Sequence, residues 1–281
     1  MDIPIAPSTR QRVKQAAREL GYRHNHLARA LVTGRTHLIT LFIPYLHRPY
    51  YANALYYLRQ QSNRHHYEMV IRELGYEDEA LAEDKQQHQW PVEGVFVFDG
   101  AWLNLSIDPF LAQGVPVVSM GVSLYENTDH VVIDLGAGAR EAVEHLVEIG
   151  CRRIVYTTLH FSNPKDMRPV SYEAVMQEAG LTPEYLYLSR PGRDGAWEGV
   201  TAYLQTHGRP DALFCHNDDV AIGAYAALCD MGIRIPEETA IVGCDGIEDT
   251  LYHRPALSTI VMPMEEMCRL AWEFFEKRTR E

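Results

Sequence analysis

The sequence predicts an α/β fold of two parallel-sheet lobes flanked by helices, preceded by a short basic helical segment. Three observations predict it. After Thr36, short apolar runs alternate with amphipathic stretches, the pattern of strand–helix–strand units and parallel sheets. There are too many such runs for one short sheet, so they divide into two. The charge is also divided. Residues 1–37 hold seven basic residues against two acidic ones, on a chain whose net charge is −12. A basic arm on an acidic body suits a polyanionic partner for the arm alone.

In chain order, Ser8–Gln11 has the pattern of a capping box, and Val13, Ala16, Ala17 and Leu20 make one apolar stripe closed by Gly21. Residues 8–20 therefore read as a helix. A second, two-turn helix begins after Asn25, with Leu27, Ala30 and Leu31 on one face and no acid answering Arg23, Arg29 or Arg35. So short a helix needs a surface to fold on. It reads as a linker helix or as an apolar and arginine wedge for a minor groove.

Strands are expected at 37–44, 68–72, 94–99, 116–120, 130–134, 153–157, 184–188, 212–215 and 239–244. Helices are expected at 51–64, 80–89, 103–113, 137–149, 170–179, 196–207, 220–231 and 270–278. No apolar run is long enough for a membrane span, and no signal core opens the chain. The expectation is cytoplasmic, with no membrane partner. Five scattered cysteines without a CxxC predict reduced, mostly buried thiols.

Chemistry-bearing patterns are few. Gly136-Ala137-Gly138 follows a strand, but Glu141 stands where a dinucleotide fingerprint needs glycine. Cys215, His216, Asp218 and Asp219 leave a strand on alternating faces and cannot converge on a metal. No cofactor, metal or activated nucleophile is expected, and the protein is not expected to be an enzyme. Asp134 and Asp245 end strands, as cleft carboxylates or as turn residues.

The run PSTRQRVKQAARELGYRHNHLARALVTGRT resembles the last headpiece helix and hinge helix of the lactose-repressor (LacI/GalR) family of bacterial transcription regulators. His24 stands where that family usually has proline. GVPVVSMG, VVIDLGAGAREAVEHLVEIGCRRIVY, PDALFCHNDDVAIGAYAALCDMGIRIPEETAIVGCDG and RPALSTI follow the family's sensor domain in order. The resemblance implies a periplasmic-binding-protein-like fold, with a partial headpiece at 1–21, a hinge at 22–36 and an effector-binding and dimerisation domain at 37–281. Its lobes are expected at about 37–133 plus 253–281, and 134–252. Against the family pattern, the first two headpiece helices and a last strand have no counterpart in this sequence.

The resemblance assigns Tyr50, Tyr51, Asp134, Arg168, Asn217 and Asp245 to an effector cleft. Asp218 goes to the adjoining turn, as a cap for the following helix. Ser171 replaces a glycine of the arginine motif. Trp197 lines the cleft or packs in the core. Arg23, Asn25, Ala28, Arg29 and Leu31 are implied DNA contacts. The function implied is a ligand-responsive transcriptional regulator, a repressor by the family pattern, that works as a homodimer with Tyr252 and His253 at its interface. The effector implied is a sugar, with purines and nucleosides as family alternatives, and operator DNA is bound weakly without a recognition helix. A solute-binding protein of the same fold, or a sugar enzyme using the cleft carboxylates, are the rival readings.

Overall fold

A computed structural model describes residues 6–20, 35–74, 91–100, 105–122, 127–159 and 166–280. The expected hinge helix and its DNA contacts Arg23, Asn25, Ala28, Arg29 and Leu31 lie outside the described residues, as does the helix expected at 80–89. Helix α1 (Pro7–Glu19) forms where the capping box and apolar stripe place it, and Val13 on that stripe is exposed.

The first lobe contains β1 (Leu38–Ile43), α2 (Pro49–Arg64), β2 (Glu68–Glu73), β3 (Gly94–Phe98), α3 (Asp108–Ala112), β4 (Val117–Gly121) and β5 (Asp129–Val132). Its strands run parallel in the order β2-β1-β3-β4-β5. Alternation along each strand builds two cores. Ile39, Leu41, Ile43, Phe96, Phe98, Val118 and Met120 face one side, and Phe42, Val95, Val97 and Val117 the other.

The second lobe contains α4 (Gly136–Glu148), β6 (Ile154–Leu159), α5 (Met167–Glu178), β7 (Glu184–Leu188), α6 (Gly192–His207), β8 (Ala212–Cys215), α7 (Asp218–Asp230), β9 (Ala240–Asp245) and β10 (Ser258–Val261). Its sheet is parallel too, in the order β10-β9-β8-β6-β7. The strand β10 was absent from the expected set. Its four residues are half exposed at a sheet edge and leave little periodic signal. It also moves the lobe boundary: β10 pairs with β9, so the chain returns to the first lobe at Met262–Pro263 and not near residue 253.

Helix α8 (Met264–Arg280) makes that return and is longer than the 270–278 expected. Met267, Cys268, Ala271, Trp272 and Phe275 fill the first lobe's core. The Trp272 ring lies parallel to Phe96 with centroids 5.7 Å apart. Gly94 gives room for Phe275, since a Cβ there would come within 2.3 Å of its ring. Two crossovers, at Ile133–Leu135 and at Met262–Pro263, thus join the lobes. Cys151, Cys215, Cys244 and Cys268 are buried free thiols, and Cys229 is exposed.

Arg35 corrects the charge reading of the arm. Its guanidinium meets Glu93 at 3.0 Å and the Tyr67 hydroxyl at 2.7 Å. The answering acid lies far along the chain, beyond any local pattern.

Candidate functional site

Parallel strands place their carboxyl ends together, and in a two-lobed fold those ends border the cleft. Tyr50 sits in the first turn of α2, just beyond β1. Its ring packs edge-on against Phe98, with centroids 5.4 Å apart, and its hydroxyl is buried without a hydrogen-bond partner among the described residues. Burial pushes its phenol well above the usual range, and the neighbouring charges of Asp99, Asp245 and Arg168 identify its surroundings. Asp99 belongs to the first lobe, Asp245 and Arg168 to the second. Tyr50 also packs on a core cluster that includes Cys244 of β9, so the lobes meet beside it. They meet again where Arg48 Nη2 approaches Gly192, 3.8 Å from the place of a Cβ there.

Arg168 is buried, contrary to the surface role a helix-start arginine could have had. Asp166 caps α5 by accepting from the Arg168 amide at 3.0 Å and grips the guanidinium through both oxygens, at 2.9 Å to Nε and 2.8 Å to Nη2. Arg168 Nη1 donates to the His216 carbonyl. Burial acts against the Asp166 charge, but Arg168 outweighs it and holds the carboxyl below its ordinary range. Burial and then Arg168 push the His216 imidazole down to about 3, so His216 is neutral at pH 7. Ser171 in place of glycine leaves α5 continuous.

Asp245 ends β9 with φ +135°, a region that favours glycine and stores strain in any other residue. Burial raises its carboxyl well above the ordinary range, and Asp218 adds to this. Asp99, at φ +51°, follows directly on β3 and accepts from the Val122 amide at 2.8 Å. Left-handed backbone is tolerable for aspartate at that angle.

Three expected roles change. Asn217, rather than Asp218, caps α7: its Oδ1 accepts from the Val220 amide at 2.9 Å. Asp218 is buried and ties β9 to the chain beyond it, accepting from the Ile247 amide at 2.9 Å and from the Thr259 hydroxyl at 2.6 Å. Tyr51 is a core residue, packed edge-on against Phe98 with centroids 5.6 Å apart. Trp197 is on an outer face, where its indole donates to Asp230 at 2.8 Å. Asp230 ends α7, roughly 18 Å along the helix from its start at the cleft, at 1.5 Å per residue.

Asp134 is exposed and stands two residues ahead of α4, accepting from the Gly136 amide at 2.8 Å. It lines a groove of about 360 Å³ between the two crossovers, with Ile260, Val261 and Met267, and is not brought to the group around Tyr50. The structure thus gathers Tyr50, Arg168, Asn217 and Asp245 at the carboxyl ends of the strands. It adds Asp99, Asp166 and His216, which the sequence reading left out. Asp99 carried the signal used for Asp134 and Asp245, a carboxylate ending an apolar strand.

The match to known proteins agrees with this geometry. The periplasmic binding protein-like domain family matches residues 143–281. The ribose operon repressor of Haemophilus influenzae is 29% identical, over 98% of this chain and 84% of that protein. Catabolite control protein A of Priestia megaterium is 25% identical, over 97% and 84%. Among solved structures, a LacI-family transcriptional regulator from Sanguibacter keddieii superposes with a TM-score of 0.78 at 25% identity, covering 88% of this chain and 91% of that one. The chain is similar to regulators of the lactose-repressor family over nearly its whole length. A family member from Enterococcus faecium, solved with bound ribose, shares the fold at a TM-score of 0.77 and 22% identity, covering 86% and 90%. The curated relatives named here are a repressor and a control protein, not enzymes. No helix among the described residues is long and apolar enough to cross a membrane.

Proposed function

We propose that the protein is a transcriptional repressor whose DNA binding is set by a small sugar held between the lobes. The observation that carries this is that Tyr50 of one lobe packs on a core that includes Cys244 of the other, beside Asp245, with the charges of Asp99, Asp245 and Arg168 acting on its phenol. A polyhydroxylated ring suits such a place. Its hydroxyls donate to the two carboxylates and accept from Arg168, and Tyr50 offers an aromatic edge and an unpartnered hydroxyl. The Arg168 guanidinium is already neutralised by Asp166, which disfavours phosphorylated or carboxylated effectors. The ribose-bound relative and the ribose operon repressor support a pentose as the first candidate.

The lobes hinge at the two crossovers, so a ligand that contacts both favours closure. In a two-fold homodimer, closure changes the spacing of two basic arms, and operator affinity with it. Leu251 and Tyr252, adjacent and exposed on the 3₁₀ turn at Glu248–Tyr252, support a dimer contact there. The operator contacts proposed are Arg23, Asn25, Ala28, Arg29 and Leu31.

A thermal-shift screen of ribose, glucose, lactose and sucrose tests the effector role. A sugar at one hundred times its Kd adds about 2.7 kcal/mol. For a sensor domain of this size that raises Tm by roughly 5–10 °C. A panel of sugars that leaves Tm unmoved at millimolar concentration counts against the reading.

A further inference from the structure

We propose that Glu93 and Tyr67 clamp the root of the basic arm to the first lobe, so that Arg35 anchors the arm there instead of contacting DNA, and the arm turns with that lobe. This deepens the reading of the chain as a DNA-binding regulator and rests on it. His37, Tyr67 and Glu93 each stand directly ahead of a strand, β1, β2 and β3 in turn. Those strands are neighbours in the order β2-β1-β3. The three residues therefore lie side by side at the amino edge of the sheet, the end opposite the cleft. They are far apart in sequence, and the parallel pairing brings them together.

The Glu93 carboxylate is the centre of the cluster. Its Oε2 accepts from Arg35 Nη2 at 3.0 Å and from the Tyr67 hydroxyl at 2.9 Å, and its Oε1 accepts from the His37 amide at 2.9 Å. Arg35 Nη2 also donates to the Tyr67 hydroxyl at 2.7 Å. One carboxylate thus grips the Arg35 side chain and the backbone two residues on. His37 has φ +52°, so the chain bends sharply as it enters β1, and its carbonyl accepts from the Glu68 amide at 2.8 Å. Burial acts against the Glu93 charge, but the His37 amide and Arg35 outweigh it and hold the carboxyl below its ordinary range. Behind the cluster, the Tyr67 ring packs edge-on against Trp272 and Phe275 of α8, with centroids 5.6 Å and 5.5 Å away. The anchor therefore stands on the aromatic core of the lobe. A guanidinium already paired with a carboxylate has little charge left to neutralise a phosphate.

The test titrates a mixed-sequence DNA duplex against the full chain over a range of salt, with amide exchange at His37 measured alongside. Arg35→Gln and Glu93→Ala should each weaken binding by about three- to tenfold, because a freed root must be ordered on the DNA. The double variant should be no weaker than either single one, and the salt slope should stay at its wild-type value in all three. The His37 amide should exchange at least about tenfold faster in Glu93→Ala, having lost a hydrogen bond to a charged group. If Glu93→Ala does not fold, Tyr67→Phe, which keeps the ring against α8, takes its place in the binding comparison. A salt slope that falls by about 0.9 in Arg35→Gln alone makes Arg35 a phosphate contact and overturns the proposal. Additive losses, or wild-type affinity in the single variants, overturn it too. A wild type that binds no duplex at low salt counts against the regulator reading itself. The clamp is then decided by His37 exchange, and an unchanged rate in Glu93→Ala sinks it.

Discussion

Asp245 combines a strained backbone with a buried carboxylate, and neither helps the fold. Strain of this kind amounts to about 1–3 kcal/mol, and it collects at functional sites. Asp245→Gly should therefore raise Tm, since the strain removed exceeds the roughly 0.5–1 kcal/mol that added glycine freedom costs. The same change should weaken effector binding tenfold or more, because a lost hydrogen bond to a charged group is worth about 1.5–3 kcal/mol. Parallel melting and calorimetry on one variant would separate the two effects, and a fall in Tm would show that the carboxylate is structural. The Asp166–Arg168 pair is different. Removing one partner leaves a buried charge, so Asp166→Ala should lose about 3–5 kcal/mol in chemical denaturation. The pair also sets a pH dependence. Asp166 is held below its ordinary range in the fold, so its contribution is present above the unfolded value and is lost as pH falls through the folded one. His216 stays neutral in the fold down to about 3, while an unfolded histidine protonates near 6.5. Stability should thus decline from about pH 6.5 downward, and His216→Gln should flatten that slope in denaturation curves taken between pH 6.5 and 4. At this scale the sequence was partly legible. Strand-end carboxylates can be read from position and Arg168 from the family resemblance, but the partner of Arg168 cannot, because a cap and an ion pair look alike in sequence. Trp197 and Tyr51 failed for a related reason: an aromatic near a helix start does not declare which side of the helix faces the cleft.

Helix α8 is the element on which the first lobe depends. It crosses from the second lobe and supplies Trp272 and Phe275 to a core otherwise made of strands and α2. Trp272→Ala should cost about 3–5 kcal/mol, the usual toll of truncating a large buried aromatic. Circular dichroism melting should show this loss in the first lobe. If the variant melts like the wild type, α8 is not what holds that core. Most elements were legible because their residues obey one period. The strands β1, β3 and β4 alternate between two cores, and their apolar runs are hard to read otherwise. Two departures have local causes. Among the described residues of the helix expected at 103–113, only Asp108–Ala112 is helical (α3), beginning beside Pro109, which suits a first turn. The cap of α7 falls one residue earlier than expected, because Asn217 and Asp218 are both good capping residues and only their packing decides between them.

At the scale of the whole molecule, the account needs two lobes that close on a ligand, two chains, and a basic arm. Sedimentation at micromolar concentration should give about twice the 32.1 kDa of one chain. Tyr252→Asp should shift that mass toward the monomer, and an unchanged mass would move the interface elsewhere. DNA binding by the arm should fall steeply with salt, and Arg29→Ala should reduce the logarithmic salt slope by about 0.9 for each phosphate contact it removes. The division into two lobes was legible from strand count, yet the return crossing was not, since β10 carries almost no pattern and is defined by its pairing with β9. The central claim is that one sugar is held by both lobes at once. Its most direct measurement is isothermal titration with whichever sugar the thermal screen selects, on the wild type, Asp99→Asn and Asp245→Ala. The account predicts one site per chain and at least a tenfold loss of affinity in each variant, one on either lobe. Affinity that survives either substitution would contradict it.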